Sequence, residues 1–149
     1  MTPKTKRTIL LTVLGLIAIG AGVGYYLYNK PRLDPNDVSP KAKTTSIELY
    51  KEFAADSIKA KKTYSQRDEV IEVSGVVSSI SQDPGKPPYI LLKTNEEGAH
   101  VNCTMRGSVQ NIKEGDTVNL KGICVGMSDG VPEMGILGDV NMTECYRMK

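Results

Sequence analysis

Residues Glu69 to Ser81 read EVIEVSGVVSSIS, and this run constrains the fold more than any other part of the chain. Ile71, Val73, Gly75 and Val77 alternate with Glu72, Ser74 and Val76, the period-2 signature of a half-buried strand. Gly75 falls in mid-run, where a glycine weakens a strand but lets it kink or bulge. A strand that bends at its middle can pair with two sets of neighbours, as the first strand of a small closed barrel must.

The chain downstream supplies four further strands. Gln82 to Pro88 is dense in turn formers and reads as a loop. Tyr89 to Thr94 is the second strand, and Ala99 to Met105 the third, with Val101, Cys103 and Met105 on one side. Gly107 to Ile112 reads as a short connector of about one helical turn, and Lys113 to Asp116 as a tight turn. Thr117 to Val125 is the fourth strand, followed by a long glycine-rich loop from Gly126 to Gly135. Gly138 to Arg147 is the fifth. Its Val140 and Met142 share a face that Cys145 does not, which predicts a bulge between them. Five strands with a break between the third and fourth predict a five-stranded Greek-key OB-fold barrel; another small barrel or a sandwich is the alternative.

Upstream, Thr45 and Glu48 form the T-x-x-E pattern that opens a helix. Ile47, Tyr50, Phe53, Ala54 and Ile58 then recur at helical spacing, predicting one amphipathic helix over residues 45–62 with a core-facing stripe. The fold class expected is therefore all-β with an added N-terminal helix, the domain occupying residues 45–149.

The first residues are of another kind. Ile9 to Tyr28 is an uncharged run of about 20 residues, which as a helix spans roughly 30 Å, the thickness of a bilayer core. Lys4, Lys6 and Arg7 precede it in a basic tail, residues 1–8, and Tyr25, Tyr26 and Tyr28 close it as an aromatic belt does. A cleavable signal peptide is the other reading, with Gly20, Ala21 and Gly22 near the cut. The apolar run continues past those residues, which favours an uncleaved signal anchor over residues 9–28. A short N-terminal tail usually stays inside, so the expected location is the inner (cytoplasmic) membrane, single-pass, with an extracytoplasmic C-terminal domain. Residues 29–44, with Pro31, Pro35 and Pro40, read as a stiffened linker.

Charge divides along the same line. Residues 1–43 carry seven basic and two acidic side chains, whereas residues 44–149 carry twelve basic and fifteen acidic ones. The folded part is mildly acidic, which counts against nucleic acid as a partner, since a basic patch is the usual electrostatic footprint.

The three cysteines, Cys103, Cys124 and Cys145, lie on the third, fourth and fifth strands. They read as buried apolar side chains, or as one disulfide plus a free thiol in an extracytoplasmic setting. In an OB barrel the third and fifth strands are neighbours, so Cys103–Cys145 is the pair expected in a disulfide. A zinc site is disfavoured, because no C-x-x-C pair occurs. His100, the single histidine, reads as a surface residue. Asp83, Asp116, Asp129 and Asp139 adjoin glycine or proline, where turn chemistry explains them. With no Walker loop, zinc-protease helix or serine elbow, no enzyme and no cofactor are expected. The candidate ligand face is the outer side of the second and third strands with Tyr89, Lys93 and Arg106, flanked by the Ser81–Pro88 and Gly126–Gly135 loops. An envelope protein or a small ligand is the expected partner; a single-stranded oligonucleotide is the alternative, with Tyr89 as its stacking platform.

In order along the chain stand A-x-x-x-Y (Ala60 to Tyr64), E-V-x-G-x-V (Glu72 to Val77), V-x-C-x-M (Val101 to Met105), G-D-x-V-x-L-x-G-x-C-x-G (Gly115 to Gly126) and a terminal Cys145. With the preceding helix, this arrangement resembles the bacterial tRNA-anticodon-binding-like (tRNA_anti-like) OB-fold family over roughly residues 45–149. The resemblance implies an OB barrel in a membrane-tethered or lipid-anchored protein of the bacterial envelope. This chain departs from the lipoprotein members, because no cysteine precedes Cys103. The family's name implies nucleic-acid binding by analogy of fold, and fold alone does not fix function.

Overall fold

The computed structural model describes residues 3–29, 34–66 and 69–148, in two compact units, Met1–Arg32 and Leu33–Lys149. The first unit is one helix, α1 (Pro3–Asn29). Its Thr12–Asn29 stretch is long and apolar enough to cross a membrane. Leu16, Ile17 and Ile19 are all more than 60 % exposed, which water disfavours and a bilayer core accommodates.

The second unit is a closed five-stranded barrel with one added strand. In chain order it contains β1 (Ala42–Thr45), α2 (Ser46–Ala55), α3 (Ser57–Tyr64), β2 (Ile71–Ser81), β3 (Tyr89–Lys93), β4 (His100–Met105), β5 (Thr117–Met127), a 3₁₀ turn at Pro132–Met134, and β6 (Val140–Arg147). The strand order is β1-β2-β3-β4-β6-β5, and pairing of β2 with β5 closes the ring. This is the Greek-key OB arrangement expected from the sequence.

The bend in β2 is where the barrel changes partners. Ile71 to Val76 pair antiparallel with β5, and Val77 to Ser81 pair with β3 across a bulge. Gly75 stands just before the handover. The expected irregularity in the last strand is present too: Cys103 aligns with Met142 but Met105 with Cys145, so β6 fits one more residue than β4 into the same interval. Glu144 takes the extra position in a left-handed conformation (φ 54°).

Alternation buries Val73, Val77, Ile90, Leu92, Val101, Cys103, Leu120, Met142 and Cys145 inside the ring. Helix α2 packs against β1, β2, β3, β4 and β6 and closes one end of the barrel. Its cap is the expected one, with the Glu48 N–H donating to Thr45 Oγ1 (3.1 Å). Two features of this region differ from the sequence reading. The helix is not continuous over residues 45–62: Asp56 takes an extended conformation, ends α2, and caps α3 by accepting from the Lys59 N–H (3.0 Å). The buried stripe also differs. Leu49, Tyr50, Phe53, Ala60 and Tyr64 are buried, whereas Ile47 and Ile58 are exposed. The break at Asp56 resets the helical phase, so α3 turns a new face to β5.

The expected linker over residues 29–44 is a second correction. Residues 30–33 lie outside the described residues, but residues 34–44 fold onto the barrel. The Lys41 N–H donates to the Val70 carbonyl (2.8 Å), and β1 pairs parallel with β2 from Ala42↔Ile71 to Thr45↔Ser74. Lys41 and Lys43 form ion pairs with Glu69 and Glu72. Farther back, the buried Lys121 Nζ donates to the Asn36 carbonyl (2.8 Å). The segment is a strap, held by main-chain pairing, two ion pairs and the buried Lys121.

Candidate functional site

On β3, β4 and β6 the side chains that do not enter the core form one continuous outer face. On β3 these are Tyr89, Leu91 and Lys93; on β4, His100, Asn102 and Thr104; on β6, Asn141 and Thr143. Register aligns them in rungs: Leu91 lies beside Asn102, and Asn102 beside Asn141. The face is half-buried and mostly neutral. At its centre Asn102 Oδ1 is shielded from solvent and has no donor among the described residues.

The two ends of the face are built differently. At one end Tyr89 pairs with Thr104, and Arg106 follows two residues on. An open cleft of about 620 Å³ lies there, lined by Pro87, Pro88, Thr104, Arg106, Thr143 and Glu144. The β2–β3 loop forms one wall, held by the Met105 N–H donating to the Pro88 carbonyl (2.8 Å). The β6 bulge forms the other, because the left-handed Glu144 swings its carboxylate out to the Arg106 guanidinium. That pairing, with the Tyr146 and Asp34 oxygens adding to it, raises the pKa of Arg106 further and occupies its charge. At the opposite end, Lys93 pairs with His100 beside an open hollow of about 460 Å³ along the β3–β4 turn, residues 94–99. The Lys93 carbonyl accepts from Ser46 Oγ (2.6 Å).

Tyr89, Lys93 and Arg106 therefore share one face but not one spot. Arg106 lines the cleft and Tyr89 follows its wall residue Pro88, whereas Lys93 is four residues along β3 from Tyr89, roughly 13 Å away at strand spacing. The flanking loops also separate: the 82–88 loop borders the cleft, and the 128–139 loop borders the His100 end. There Asp139 Oδ1 accepts the His100 backbone N–H (2.8 Å) and lies 3.8 Å from His100 Nδ1. The histidine thus has a carboxylate neighbour 39 residues away that spacing along the chain does not reveal. That carboxylate oxygen already caps the start of β4.

The cysteines lie inside the ring, away from this face. All three are buried free thiols. Cys103 and Cys145 interact as thiols from adjacent parallel strands, and this hydrogen bond, followed by burial, pushes the Cys103 thiol well above its usual range. Burial raises Cys124 also, opposed by the Ser65 hydroxyl at 3.4 Å. Cys103 aligns with Met142 and Cys145 with Met105, an offset of two residues on β4. At strand spacing that puts the two α-carbons about 8 Å apart, beyond the roughly 7 Å a bridge tolerates without backbone movement. Among the described residues, no group of three or more His, Cys, Asp or Glu side chains is arranged to hold a metal.

A family model described as tRNA_anti-like matches residues 1–134. No curated protein matches the chain. Among solved structures, the chain is similar to a lipoprotein from Klebsiella pneumoniae described as a candidate nucleic acid-binding protein, with 15% identity and a TM-score of 0.46 over 71% of this chain and 91% of that one. It is also similar to OBody NL8, solved bound to hen egg-white lysozyme, with 22% identity and a TM-score of 0.36 over 54% of this chain and 94% of that one.

Proposed function

Because the chain belongs to the tRNA_anti-like family, we propose that it is a membrane-anchored, non-catalytic OB-fold binding module. In this reading α1 is the anchor, its N-terminus lies in the cytoplasm, and the barrel works on the extracytoplasmic side of the inner membrane. The outer face of β3, β4 and β6 takes an envelope protein segment or a small ligand by hydrogen bonding to neutral polar side chains.

The observation that carries this reading is the state of the charges on that face. Arg106, two residues past the register partner of Tyr89, is paired with Glu144, and Lys93 lies at the far end beside His100. A single-stranded oligonucleotide needs a continuous cationic track beside its stacking platforms, and here the face carries one tyrosine and an arginine already paired with a carboxylate. The oligonucleotide reading keeps one point in its favour, the closeness of Tyr89 to Arg106. Filter binding with single-stranded oligonucleotides at low salt separates the two. No retention at micromolar protein is expected, and micromolar binding that weakens steeply with salt would reverse the ranking. A reporter active only outside the cytoplasm, fused after Lys149, tests the topology; an inactive fusion would reject it.

A further inference from the structure

The barrel encloses a block of sulfur that packing does not require. Of the three cysteines and six methionines in the chain, two of each meet on the inner side of two neighbouring strands. Cys103 on β4 aligns with Met142 on β6, and Met105 on β4 aligns with Cys145 on β6. All four side chains are buried, at no more than 2 % exposure. The thiols stand on one diagonal of the block and the thioethers on the other. A core tolerates any apolar side chain of similar volume, so packing alone does not select sulfur at all four corners.

The geometry around the thiols suits an ion between them. Cys103 and Cys145 are within hydrogen-bond reach of each other. Their backbone contacts are long, to the Val101 carbonyl at 3.9 Å and the Thr143 carbonyl at 3.7 Å, so neither sulfur is tied up by a strong bond. β5 leaves a recess for one of them: a β-carbon on Gly122 would stand 2.6 Å from Cys145 Sγ. The α-carbon separation of about 8 Å exceeds the roughly 5.5–6 Å usual for a disulfide. An ion bonded to each sulfur at about 2.3 Å replaces an S–S bond of about 2 Å with a bridge of up to about 4.6 Å, which takes up that difference.

We propose that Cys103, Met105, Met142 and Cys145 bind one Cu(I) ion inside the barrel, apart from the outer face of the same strands. Thiolate and thioether sulfur are soft ligands, and they select Cu(I). Charge points the same way. Cu(I) displaces one thiol proton to solvent, so ion and thiolate cancel and the buried site stays neutral. The second thiol and the thioethers coordinate through sulfur lone pairs. Zinc takes thiolate, imidazole or carboxylate ligands, four of them in structural sites, and no group of three such side chains is arranged to hold it among the described residues. Cys124 aligns with Met142 from β5, but its sulfur meets the Ser65 hydroxyl at 3.4 Å and stays outside the set. The ion enters as the seam between β4 and β6 opens, so loading is slow.

The full-length chain, reduced and held anaerobically in detergent micelles, is incubated overnight with Cu(I) supplied as its coloured bicinchoninate complex. Gel filtration then removes loose ion, and copper is counted by mass spectrometry. One copper per chain is expected. Cys103→Ala and Cys145→Ala should each abolish retention, whereas Cys124→Ala should keep it. Circular dichroism checks the fold of each variant. Where a cysteine variant fails to fold, Met105→Leu and Met142→Leu decide. Each removes a soft ligand with little change of volume, and competition with bicinchoninate should show capture weakened on the order of tenfold. Four results would each overturn the site: no copper on the native chain, copper kept by both folded Cys103→Ala and Cys145→Ala, copper lost equally from Cys124→Ala, or capture unchanged in both methionine variants.

Discussion

Ser46 Oγ lies 2.5 Å from the point where a β-carbon on Gly75 would stand, and it donates a 2.6 Å hydrogen bond to the Lys93 carbonyl. The glycine at the bend of β2 is thus also the gap through which the start of α2 reaches the end of β3. Leu92 Cδ1, at 3.2 Å from the same point, closes the other side. Gly75→Val should destabilise the barrel by about 1–3 kcal/mol, the range for overpacking a closed site. Urea unfolding measures it. The two roles of the glycine separate in a cycle. If close approach dominates, Gly75→Ala costs clearly less in a Ser46→Gly background; if the bend dominates, the cost is the same in both.

The strap depends on a buried lysine. Lys121 is 7 % exposed, and its ammonium meets the Asn36 carbonyl. Lys121→Met keeps most of the stem's packing but removes that donor, a loss of about 1 kcal/mol, because Asn36 is exposed and water can take the lysine's place at its carbonyl. The effect should be local. Amide hydrogen exchange at Lys41 and along β1 should quicken, while β4 and the core-facing part of β6 keep their protection. Equal acceleration everywhere would show that the strap and barrel unfold as one unit.

Acid should loosen the strap at its other anchor. The Asn36 N–H donates to Asp34 Oδ1 (3.0 Å), and this bond outweighs the opposing desolvation and, with the Tyr146 hydroxyl and the charges of Arg106 and Lys121, holds the Asp34 carboxyl below its ordinary value. A depressed carboxylate contributes its stabilisation above the unfolded-state value and loses it as pH falls through the folded-state one. Strap protection should therefore be constant at neutral pH and decline below about pH 4. Asp34→Asn should weaken the strap at neutral pH and flatten this dependence. A decline that persists unchanged in the variant would assign it to other carboxylates.

What could be read from the chain follows the reach of each physical signal. The bend after Gly75, the break of pattern before Cys145 and the Thr45 cap are local rules, legible in a few neighbouring residues, and all three are in the structure. Helix α2 continued into α3 on paper because Ile58 keeps helical spacing, but Asp56 is as good a cap as a helix residue, and its choice depends on the surface of β5. β1 was invisible for a stronger reason. Ala42–Thr45 has no alternation to speak of, and it is a strand because β2 leaves an edge for it. On the candidate face, Tyr89, Lys93 and Arg106 could be placed on adjacent strands by pattern. The pairing of Arg106 with Glu144 and of His100 with Asp139 joins residues 38 and 39 apart, and only the closed ring brings them together.

The thiols give the last test. Cys103, Cys124 and Cys145 are all at most 2 % exposed. Only the thiolate reacts readily, and Cys103 and Cys124 are both held toward the thiol. Native protein at pH 8 should therefore resist iodoacetamide for as long as the barrel stays closed. The same protein unfolded without reductant should take three labels, because the offset between Cys103 and Cys145 opposes a bridge. One label after unfolding would instead mean that β4 and β6 have shifted to bring those α-carbons within bonding range, and the register of Cys103 with Met142 would need revision. Cys145→Ser separates structure from redox state. It should cost stability by burying a stronger polar group in the core, and two labels after unfolding would leave both remaining cysteines as thiols.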